Sequence, residues 1–460
     1  MASVWLQEAM AGEANAAPDT LDGDLRVDVA IVGGGYTGLW TAIELKSRNP
    51  SLEVALIERD VCGAGASAAN AGFALSIWMA VSTLAKKGGE EEAVRLCRAS
   101  DEAINEMEAL APAHGIDAQV DRRGVFWGAT CPMQSGHWDR MLETVEKFQV
   151  RHYRVMDGEE IRATTGATNY VAGVLDTSSA LIHPGHLVRG LRRLALLEGV
   201  RIFEHTPMTA LRRGRPPAVV TPRGTVTADK VVLGIYGWSL GVPELRPAIM
   251  VICTDAAMTE RVPERVAAAG WKDYGGLTDS RIFVEGMRTT SDGRVFWSKA
   301  GGRMPFGGRL DAALRTPHKS TEEMRAILGK VFPTLADAPI AGTWSGPIDR
   351  SRDGLPLFGR LPGCPDILYG YGYSGAGIVP SRLGSKMLAS LALETDDEWA
   401  NGPLVRSPDR AYPPEPVRWV GGHMVHAAIA RKDRLDHEGR KTGPVTDFLL
   451  KFKPPSYKPT

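Results

Sequence analysis

The sequence predicts an α/β protein with a parallel sheet and more than one domain. The chain has 460 residues, which is too many for one small core. A β-branched run at 26–32, a glycine turn, an amphipathic segment and a second β-branched run at 52–60 form a βαβ unit, which requires a parallel sheet. Residues 281–299 alternate around Ser-Asp-Gly, which indicates a β-hairpin.

The other elements follow along the chain. Residues before about 25 are rich in Ala, Asp and Gly and predict an irregular lead-in. Apolar spacing predicts helices over 39–49, 90–113, 137–150 and 185–197. Short apolar or alternating runs predict strands over 123–130 and 200–208 and a hairpin that runs into a buried strand over 218–237. Residues 367–393 predict a strand, a glycine turn and a long helix. Residues 396–460 predict Pro-rich turns and a polar end without recognisable chemistry.

Composition excludes several classes of protein. Lys plus Arg number 54 and Asp plus Glu number 54, so the basic surplus of a nucleic-acid-binding protein is missing. The five cysteines form no CxxC pair, which argues against a zinc ribbon or a disulfide framework and suits a reducing cytoplasm. The N-terminus lacks a signal peptide. The uncharged stretch 61–85 is rich in Gly and Ser, so it predicts a buried loop followed by a helix rather than a membrane span.

Gly33, Gly35 and Gly38 form a GxGxxG motif between the first strand and its helix. The first glycine permits a tight turn, the second lets the backbone approach a pyrophosphate and the third lets the helix pack on the strand. The helix N-terminus then offers free N–H groups to the pyrophosphate. Glu58 ends the second strand, where a carboxylate binds a ribose diol and disfavours a 2′-phosphate. The motif predicts a dinucleotide site and leaves FAD and NAD open.

Two further segments favour a large, flat ligand. The loop after Glu58 reads ERDVCGAGASAANAGFA, and its small residues let the backbone approach such a ligand closely. Near the other end of the chain, GYSGAG opens a second helix N-terminus with glycines. His183 and His186 have a spacing seen in metal sites, but they lack a Cys or acidic companion, so we expect a helix cap and no metal.

These segments together resemble the D-amino-acid-oxidase-like flavoprotein superfamily, in particular its glycine oxidase, monomeric sarcosine oxidase and γ-glutamylputrescine oxidase branch. The resemblance covers the chain up to about residue 400. It rests on VDVAIVGGGYTGLWTAIEL, on GAGASAANAGFALSIW, on HPGHLVRGLRRLALLEGVRIFEHTPM with DKVVLGIYGWS, and on DGLPLFGRL with GYGYSGAG. The second segment has Ala-Ala-Asn-Ala-Gly at 68–72, where such families more often have GRNGG.

The resemblance implies a Rossmann-like, discontinuous FAD-binding domain and a substrate-binding domain with an antiparallel sheet, with the active site between them. The FAD-binding domain would comprise 26–115, 175–242 and 340–395, the substrate-binding domain 116–174 and 243–339, and the C-terminal extension 396–460.

The resemblance also implies noncovalent FAD and the residues around it. Met208 would bind adenine through its backbone, and the helix start at 375–378 would face the pyrimidine edge of the flavin, where it would stabilise the negative charge of the reduced ring. The cofactor-binding residues would be Gly33, Gly35, Tyr36, Thr37, Gly38, Glu58, Arg59, Ala66, Ser67, Asn70, Ala71, Gly72, Phe73, Met208, Gly237, Gly375, Ala376, Gly377 and Ile378.

The implied reaction is oxidation of a C–N bond. Hydride would pass from the α-C–H of an uncharged amine or amino acid to flavin N5, the imine would be hydrolysed, and O2 would accept the electrons to give H2O2. A secondary or N-substituted amine with a carboxylate or phosphonate is expected as substrate. Two alternatives stay open. One is an FAD-dependent dehydrogenase of a 2-hydroxy acid or polyol phosphate, and the other is an FAD-binding subunit of a larger oxidoreductase complex.

Four residues are candidates for the substrate side of the site. Trp78 follows the flavin loop and would form either a cavity wall or ordinary core. Tyr371 and Tyr373 would share one face of a strand and could form an aromatic lid. Arg288, on the predicted hairpin, could clamp a carboxylate in a bidentate manner. For Trp344, Asp349 and Arg350, a structural Asp–Arg pair is favoured over a role in lining the site.

Overall fold

The computed structural model describes residues 2–13, 19–272, 275–310 and 312–453. The strands are, in chain order, Leu25–Val32 (β1), Val54–Ile57 (β2), Phe73–Ala74 (β3), Val125–Ala129 (β4), Tyr153–Asp157 (β5), Ala172–Asp176 (β6), Ala180–Leu181 (β7), Arg201–Phe203 (β8), Ala210–Arg212 (β9), Ala218–Thr221 (β10), Gly224–Leu233 (β11), Ile249–Thr259 (β12), Gly276–Asp279 (β13), Glu285–Thr289 (β14), Val295–Ala300 (β15), Ile340–Ser351 (β16), Leu357–Leu361 (β17) and Cys364–Tyr371 (β18).

The α-helices pack around two large sheets. They are, in chain order, Val4–Ala11 (α1), Tyr36–Arg48 (α2), Ala66–Ala69 (α3), Val81–Gly88 (α4), Glu90–Ala113 (α5), Asp139–Lys147 (α6), Gly158–Thr165 (α7), Pro184–Leu197 (α8), Pro263–Ala268 (α9), Thr321–Val331 (α10), Ile378–Leu393 (α11), Val417–His437 (α12) and Pro444–Leu450 (α13).

The first sheet has the order β17-β18-β11-β1-β2-β8, with β10 and β9 continuing from β11. The pairs β18–β11, β11–β1, β1–β2 and β2–β8 are parallel, so the predicted βαβ unit is confirmed. One face of this sheet packs against α2, α5, α8 and α11 in the largest hydrophobic cluster, and β1 is buried on both faces because the opposite face has a core of its own. The carboxyl end of β1 therefore opens into the interior of the protein.

The second sheet has the order β16-β12-β15-β14-β13-β4-β6-β5. Its pairs are antiparallel except β13 with β4, which is parallel. The predicted α/β class with a second, mainly antiparallel sheet is thereby confirmed. The hairpin around Gly293 is β14–β15 of this sheet. Strand pairing also places 340–351 in the second sheet, although these residues were expected in the FAD-binding domain. The rest of the domain division stays a prediction.

The N-terminal lead-in differs from the prediction, because α1 is a helix. Ser3 caps it, with Oγ accepting a hydrogen bond from the Leu6 N–H at 3.2 Å. Trp5 and Leu6 are buried, and α1 packs against α8. A helix of 8 residues is unstable alone in water, so tertiary burial stabilises it where its sequence gives little signal.

The C-terminal extension also contains more structure than its sequence predicts. Helix α12 includes Gly421 and Gly422, and each glycine disfavours a helix by about 1 kcal/mol relative to alanine. A Cβ at Gly422 would lie 3.3 Å from the sulfur of Met304 and 3.5 Å from that of Met250 in β12, so close packing against the second sheet and the chain after it explains a small residue there. The prediction of turns was therefore wrong for α12 and α13. Within the described residues, no helix is both long and apolar enough to cross a membrane.

Candidate active site

Two adjoining cavities lie where the two sheets meet. The larger has a volume of about 550 Å³ and the smaller about 210 Å³. They share part of their lining, which identifies them as two parts of one site. The shared residues are Ala66, Asn70, Ala71, Phe73, Tyr236 and Gly375.

The glycine motif forms one end of the larger cavity. Gly33 has φ +108°, and a Cβ there would lie 2.4 Å from the carbonyl oxygen of Gly234. A Cβ at Gly38 would lie 2.0 Å from the carbonyl oxygen of Gly33. These two positions therefore exclude any side chain because backbone fills the space. Gly35 lines the cavity, and a Cβ there would lie 2.8 Å from Ser67 Oγ.

Helix α2 points its N-terminus at the larger cavity. Gly35 is its N-cap and provides no side-chain cap. The Tyr36 N–H donates to Ser67 Oγ at 2.9 Å, and Tyr36 and Thr37 both line the cavity. An uncapped helix start of this kind attracts anions through its free N–H groups and the helix dipole.

Glu58 lies at the end of β2 and lines the larger cavity. Its Oε2 accepts a hydrogen bond from the Gly34 N–H at 2.7 Å, and its Oε1 accepts one from the Asp60 N–H at 2.9 Å. Burial raises the pKa of this carboxyl above its usual value, although the two backbone donors oppose that shift. Each oxygen keeps acceptor capacity beyond these bonds, as binding of a ribose diol requires.

The second glycine turn approaches the same cavity from the other side. Helix α11 begins at Ile378 after the N-cap Gly377, again without a side-chain cap. Gly375, Gly377 and Ile378 line the larger cavity. The Tyr373 hydroxyl lies 2.6 Å from Thr37 Oγ1, so one hydrogen bond connects the two glycine-opened helix starts.

The structure places most of the predicted cofactor-binding residues around the larger cavity. The far end is formed by the chain after β8, including Met208. The predicted residues that line it are Gly33, Gly35, Tyr36, Thr37, Glu58, Arg59, Ala66, Ser67, Asn70, Ala71, Phe73, Met208, Gly375, Gly377 and Ile378.

Four predicted positions differ. Gly38 supports packing only, and Ala376 lines the smaller cavity instead. Gly72 has φ +75°, and a Cβ there would lie 2.2 Å from the carbonyl oxygen of Ile182, so it faces neighbouring backbone. Gly237 is buried, and its missing Cβ would face Leu310 at 3.2 Å. Neither Gly72 nor Gly237 lines either cavity.

Trp78 and Tyr371 do not reach the site. Trp78 is buried in the core, and its Nε1 donates to Asp101 Oδ2 at 2.8 Å. The Tyr371 hydroxyl donates to the Leu245 carbonyl oxygen at 3.3 Å, while Tyr373 lines the larger cavity. Gly372, with φ +81°, lies between the two tyrosines and breaks the strand alternation. The expected shared aromatic lid is therefore wrong.

Arg288 is also absent from the lining of both cavities. Its side chain is buried, and its NH1 donates to the carbonyl oxygens of Ile182 at 2.5 Å and Ala71 at 3.3 Å. Burial lowers the pKa of Arg288 to about 10. This guanidinium holds the loop around Gly72 from behind, so the expectation that Arg288 clamps a substrate carboxylate was wrong.

Arg350, rather than Arg288, is the arginine at the smaller cavity. It lines the smaller cavity and, within the described part of the chain, makes no side-chain hydrogen bond or ion pair. Burial lowers the pKa of Arg350. The expected Asp–Arg pair is missing, because the Asp349 carboxylate accepts hydrogen bonds from the N–H groups of Gly372 at 2.5 Å and Tyr373 at 3.0 Å. Burial raises the pKa of Asp349 to about 8.

Strand alternation places Arg350 and Asp349 on opposite faces of β16. Gly346, Ile348 and Arg350 of β16 all line the smaller cavity, so they share one face of the strand, and Asp349 is on the other. Trp344 does not line either cavity and donates through Nε1 to the Ala69 carbonyl oxygen at 2.9 Å. His183 caps α8, with Nδ1 accepting from the His186 N–H at 3.0 Å, as expected.

Tyr236 was missed by the sequence analysis. It lines both cavities and has φ +51°, a conformation that residues with a side chain seldom adopt. Its ring lies 6.0 Å from that of Tyr373, and burial raises the pKa of its phenol. Strained conformations persist where the surroundings enforce them, and they concentrate at functional sites. The sequence feature that could have identified Tyr236 is its position between Gly234 and Gly237, directly after β11.

Comparisons with known proteins agree with this geometry. The family model described as FAD dependent oxidoreductase (DAO) matches residues 28–391. The probable oxidoreductase OrdL of Rhizobium meliloti (strain 1021) is 28% identical over 391 residues, which are 82% of this chain and 86% of that protein. The gamma-glutamylputrescine oxidoreductase of Escherichia coli (strain K12) is 28% identical over 391 residues, 84% of this chain and 88% of that protein.

Solved structures share the fold. Glycine oxidase from Geobacillus kaustophilus superposes with a TM-score of 0.65 at 20% identity, over 81% of this chain and 96% of that chain. L-proline dehydrogenase from P. horikoshii gives a TM-score of 0.65 at 18% identity, over 82% of this chain and 96% of that chain.

Proposed function

Because the chain belongs to the family of FAD-dependent oxidoreductases, we propose that it oxidises an amine or amino acid bearing a carboxylate or phosphonate, with O2 as electron acceptor. In the proposed overall reaction, a secondary amine, O2 and water give a carbonyl compound, a smaller amine and H2O2; a primary amine gives ammonia instead. The single observation that supports an anionic substrate is the partly buried guanidinium of Arg350 in the smaller cavity, which has no partner among the described residues.

The larger cavity fits the cofactor of the family. Its two uncapped helix starts suit the diphosphate and the pyrimidine edge of the flavin, and Glu58 suits a ribose diol. Bound FAD supplies the two-electron acceptor for oxidation of the substrate. Among the described residues that line the cavity there is neither Cys nor His, which supports noncovalent binding. The five cysteines are free, which supports a cytoplasmic location.

The smaller cavity supports a small substrate with one anionic group. Most of its lining is apolar or small, including Val284, Phe296 and Ile348. Arg350 is the only charged residue in its described lining. Taking an unpaired cation out of water is costly, whereas a substrate carboxylate or phosphonate would supply the missing partner in bidentate geometry. The anion therefore anchors the substrate beside Ala71, Phe73 and Tyr236, which line both cavities.

The same lining favours an uncharged amine. Within the described residues, no Asp or Glu lines the smaller cavity, so an ammonium group would meet a cation and no counter-ion. Loss of hydride from carbon also requires the lone pair of the neighbouring nitrogen, which an ammonium group lacks. A site with these charges therefore selects the neutral amine that the proposed chemistry needs.

Oxidation of a 2-hydroxy acid is a second candidate, because Arg350 would hold its carboxylate equally well. The test uses purified protein whose flavin is measured by its absorption spectrum. We expect N-substituted glycines to bleach the flavin band without O2, and to release alkylamine and H2O2 in air. Bleaching by 2-hydroxy acids alone would favour the second candidate. Bleaching without H2O2 release would favour another electron acceptor, and a protein that contains no flavin would contradict the proposal.

A further inference from the structure

Helix α12 lies outside the residues that the family model matches, yet it packs directly behind the smaller cavity. Val425 and Ile429 of α12 share a hydrophobic cluster with Phe283 and Ala300 of the second sheet. Ala300 also lines the smaller cavity. A single layer of residues therefore separates α12 from the space that we assign to the substrate.

Asp433 of α12 holds one edge of this layer. Its Oδ1 accepts a hydrogen bond from the Ile282 N–H at 3.1 Å, and its Oδ2 accepts one from the Phe283 N–H at 3.2 Å. The next residue, Val284, lines the smaller cavity. A carboxylate outside the matched fold thus helps to hold the connection between β13 and β14, together with Lys299 Nζ, which donates to the Phe283 carbonyl oxygen at 2.9 Å, and the Ala300 N–H, which donates to the Val284 carbonyl oxygen at 3.0 Å.

His426 holds the other edge of the layer. It lies seven residues before Asp433 on the same helix, and its Nε2 donates to the Gly301 carbonyl oxygen at 2.9 Å. Gly301 directly follows Ala300, which lines the cavity. The His426 ring also contacts that of Phe283, with centroids 4.5 Å apart. The two polar contacts therefore fix the two segments that contribute Val284 and Ala300.

We propose that α12 sets the depth of the substrate cavity, and that Asp433 is a positioning residue that limits the bulk of the accepted substrate. This inference rests on the proposed function, because it takes the smaller cavity as the substrate site. Without the Asp433 carboxylate, two partly buried N–H groups lose their acceptors. The segment before Val284 then moves to find others, and the wall of the cavity moves with it.

The test compares the Asp433→Ala holoenzyme with the wild type on sarcosine and on the bulkier N-benzylglycine. We expect the ratio of kcat/KM for N-benzylglycine to that for sarcosine to rise about tenfold, within the range that a change of pocket volume can give. Flavin content should stay unchanged. Asp433→Asn keeps one acceptor oxygen, so its ratio should lie between those of the wild type and Asp433→Ala.

Asp447→Ala is the matched control, because this exposed carboxylate on α13 bonds only to Thr442 among the described residues. Its ratio should equal that of the wild type. A merely structural role for Asp433 would lower the melting temperature and both kcat/KM values together. An unchanged ratio in Asp433→Ala would therefore overturn the inference, whatever happens to stability.

A second measurement separates this inference from the proposed function. If the wild type oxidises no amine, the proposed function fails. The inference is then tested by ligand binding instead of by turnover. Acetate and cyclohexanecarboxylate contain no C–N bond, and their Kd values are read from the shift of the flavin absorption band. Asp433→Ala should then strengthen binding of cyclohexanecarboxylate relative to acetate. An unchanged ratio of the two Kd values would again overturn the inference.

Discussion

The larger and the smaller cavity differ in what builds them. Backbone at two glycine-opened helix starts forms much of the larger cavity, and its residues lie close to the GxGxxG and GYSGAG motifs. Side chains of separate segments form the smaller cavity, from Ala66 to Ala376 along the chain. A cofactor shared by a family thus requires particular backbone geometry, whereas a substrate requires only a complementary surface, which many sequences can provide.

The largest effect is expected from a substitution that disrupts the backbone geometry of the larger cavity. In Gly35→Leu, the new Cβ would lie 2.8 Å from Ser67 Oγ, which accepts the Tyr36 N–H, and the side chain would extend into the cavity. We expect the purified variant to lose nearly all of its flavin, measured as the ratio of visible to ultraviolet absorption. Gly12→Leu is the control, because no atom of the described residues lies within 4 Å of a Cβ there. Full flavin content in Gly35→Leu would contradict the assignment of the cofactor site.

The second prediction concerns the charge of the smaller cavity. Arg350→Met removes the guanidinium and keeps a long side chain, so we expect the KM of an anionic amine to rise by roughly 30-fold or more, as when one partner of a buried charge pair is lost. Flavin content should not change. The melting temperature of the substrate-free protein should stay the same or rise, because the substitution removes a partly buried cation that has no partner among the described residues.

Arg352→Met is the matched control, since Arg352 is two residues further along and exposed. We expect its KM to equal that of the wild type. A variant of Arg350 that is less stable but binds substrate normally would show that the guanidinium supports the fold. Arg350→Lys should restore only part of the affinity, because an ammonium group lacks the bidentate geometry of a guanidinium.

The third prediction concerns Asp349, which connects the two cavities by holding the turn at Gly372 and Tyr373. Its pKa of about 8 exceeds the value of 3.8 that an unperturbed carboxyl has. The folded protein therefore binds a proton that the unfolded chain releases, and the contribution of this group to stability falls as pH rises from about 4 to about 8.

The amide side chain in Asp349→Asn cannot ionise, so the stability of this variant lacks the pH dependence that the Asp349 carboxyl contributes. We expect the free energy of unfolding of the wild type, relative to that of the variant, to decrease between pH 5 and pH 8 in urea titrations followed by fluorescence. Parallel curves for the two proteins would show that the two backbone donors keep this carboxylate ionised throughout.

The sequence predicted those parts of the molecule that local rules determine. The βαβ unit and the glycines at 33, 35 and 38 follow from backbone sterics, which act between near neighbours in the chain. Helix α12 was missed because contacts with distant strands offset its two glycines, as at Gly422 beside Met304. Arg288 and Arg350 could not be ranked because their roles depend on their partners, which are carbonyl groups for Arg288 and, among the described residues, none for Arg350.

The smallest effect is expected from a comparison of Tyr371 and Tyr373, which the sequence analysis expected on one face of a strand. The Tyr373 hydroxyl contacts Thr37 Oγ1 at the larger cavity, whereas the Tyr371 hydroxyl contacts the Leu245 carbonyl oxygen away from it. Tyr373→Phe should raise the Kd for FAD about two- to tenfold, the usual worth of one neutral hydrogen bond. Tyr371→Phe loses a hydrogen bond of the same kind and should bind FAD like the wild type. Both Kd values are measured by titrating apoprotein with FAD and following the quenching of flavin fluorescence. Equal effects of the two substitutions would mean that protein stability, and not the hydrogen bond between the two helix starts, determines the affinity for FAD.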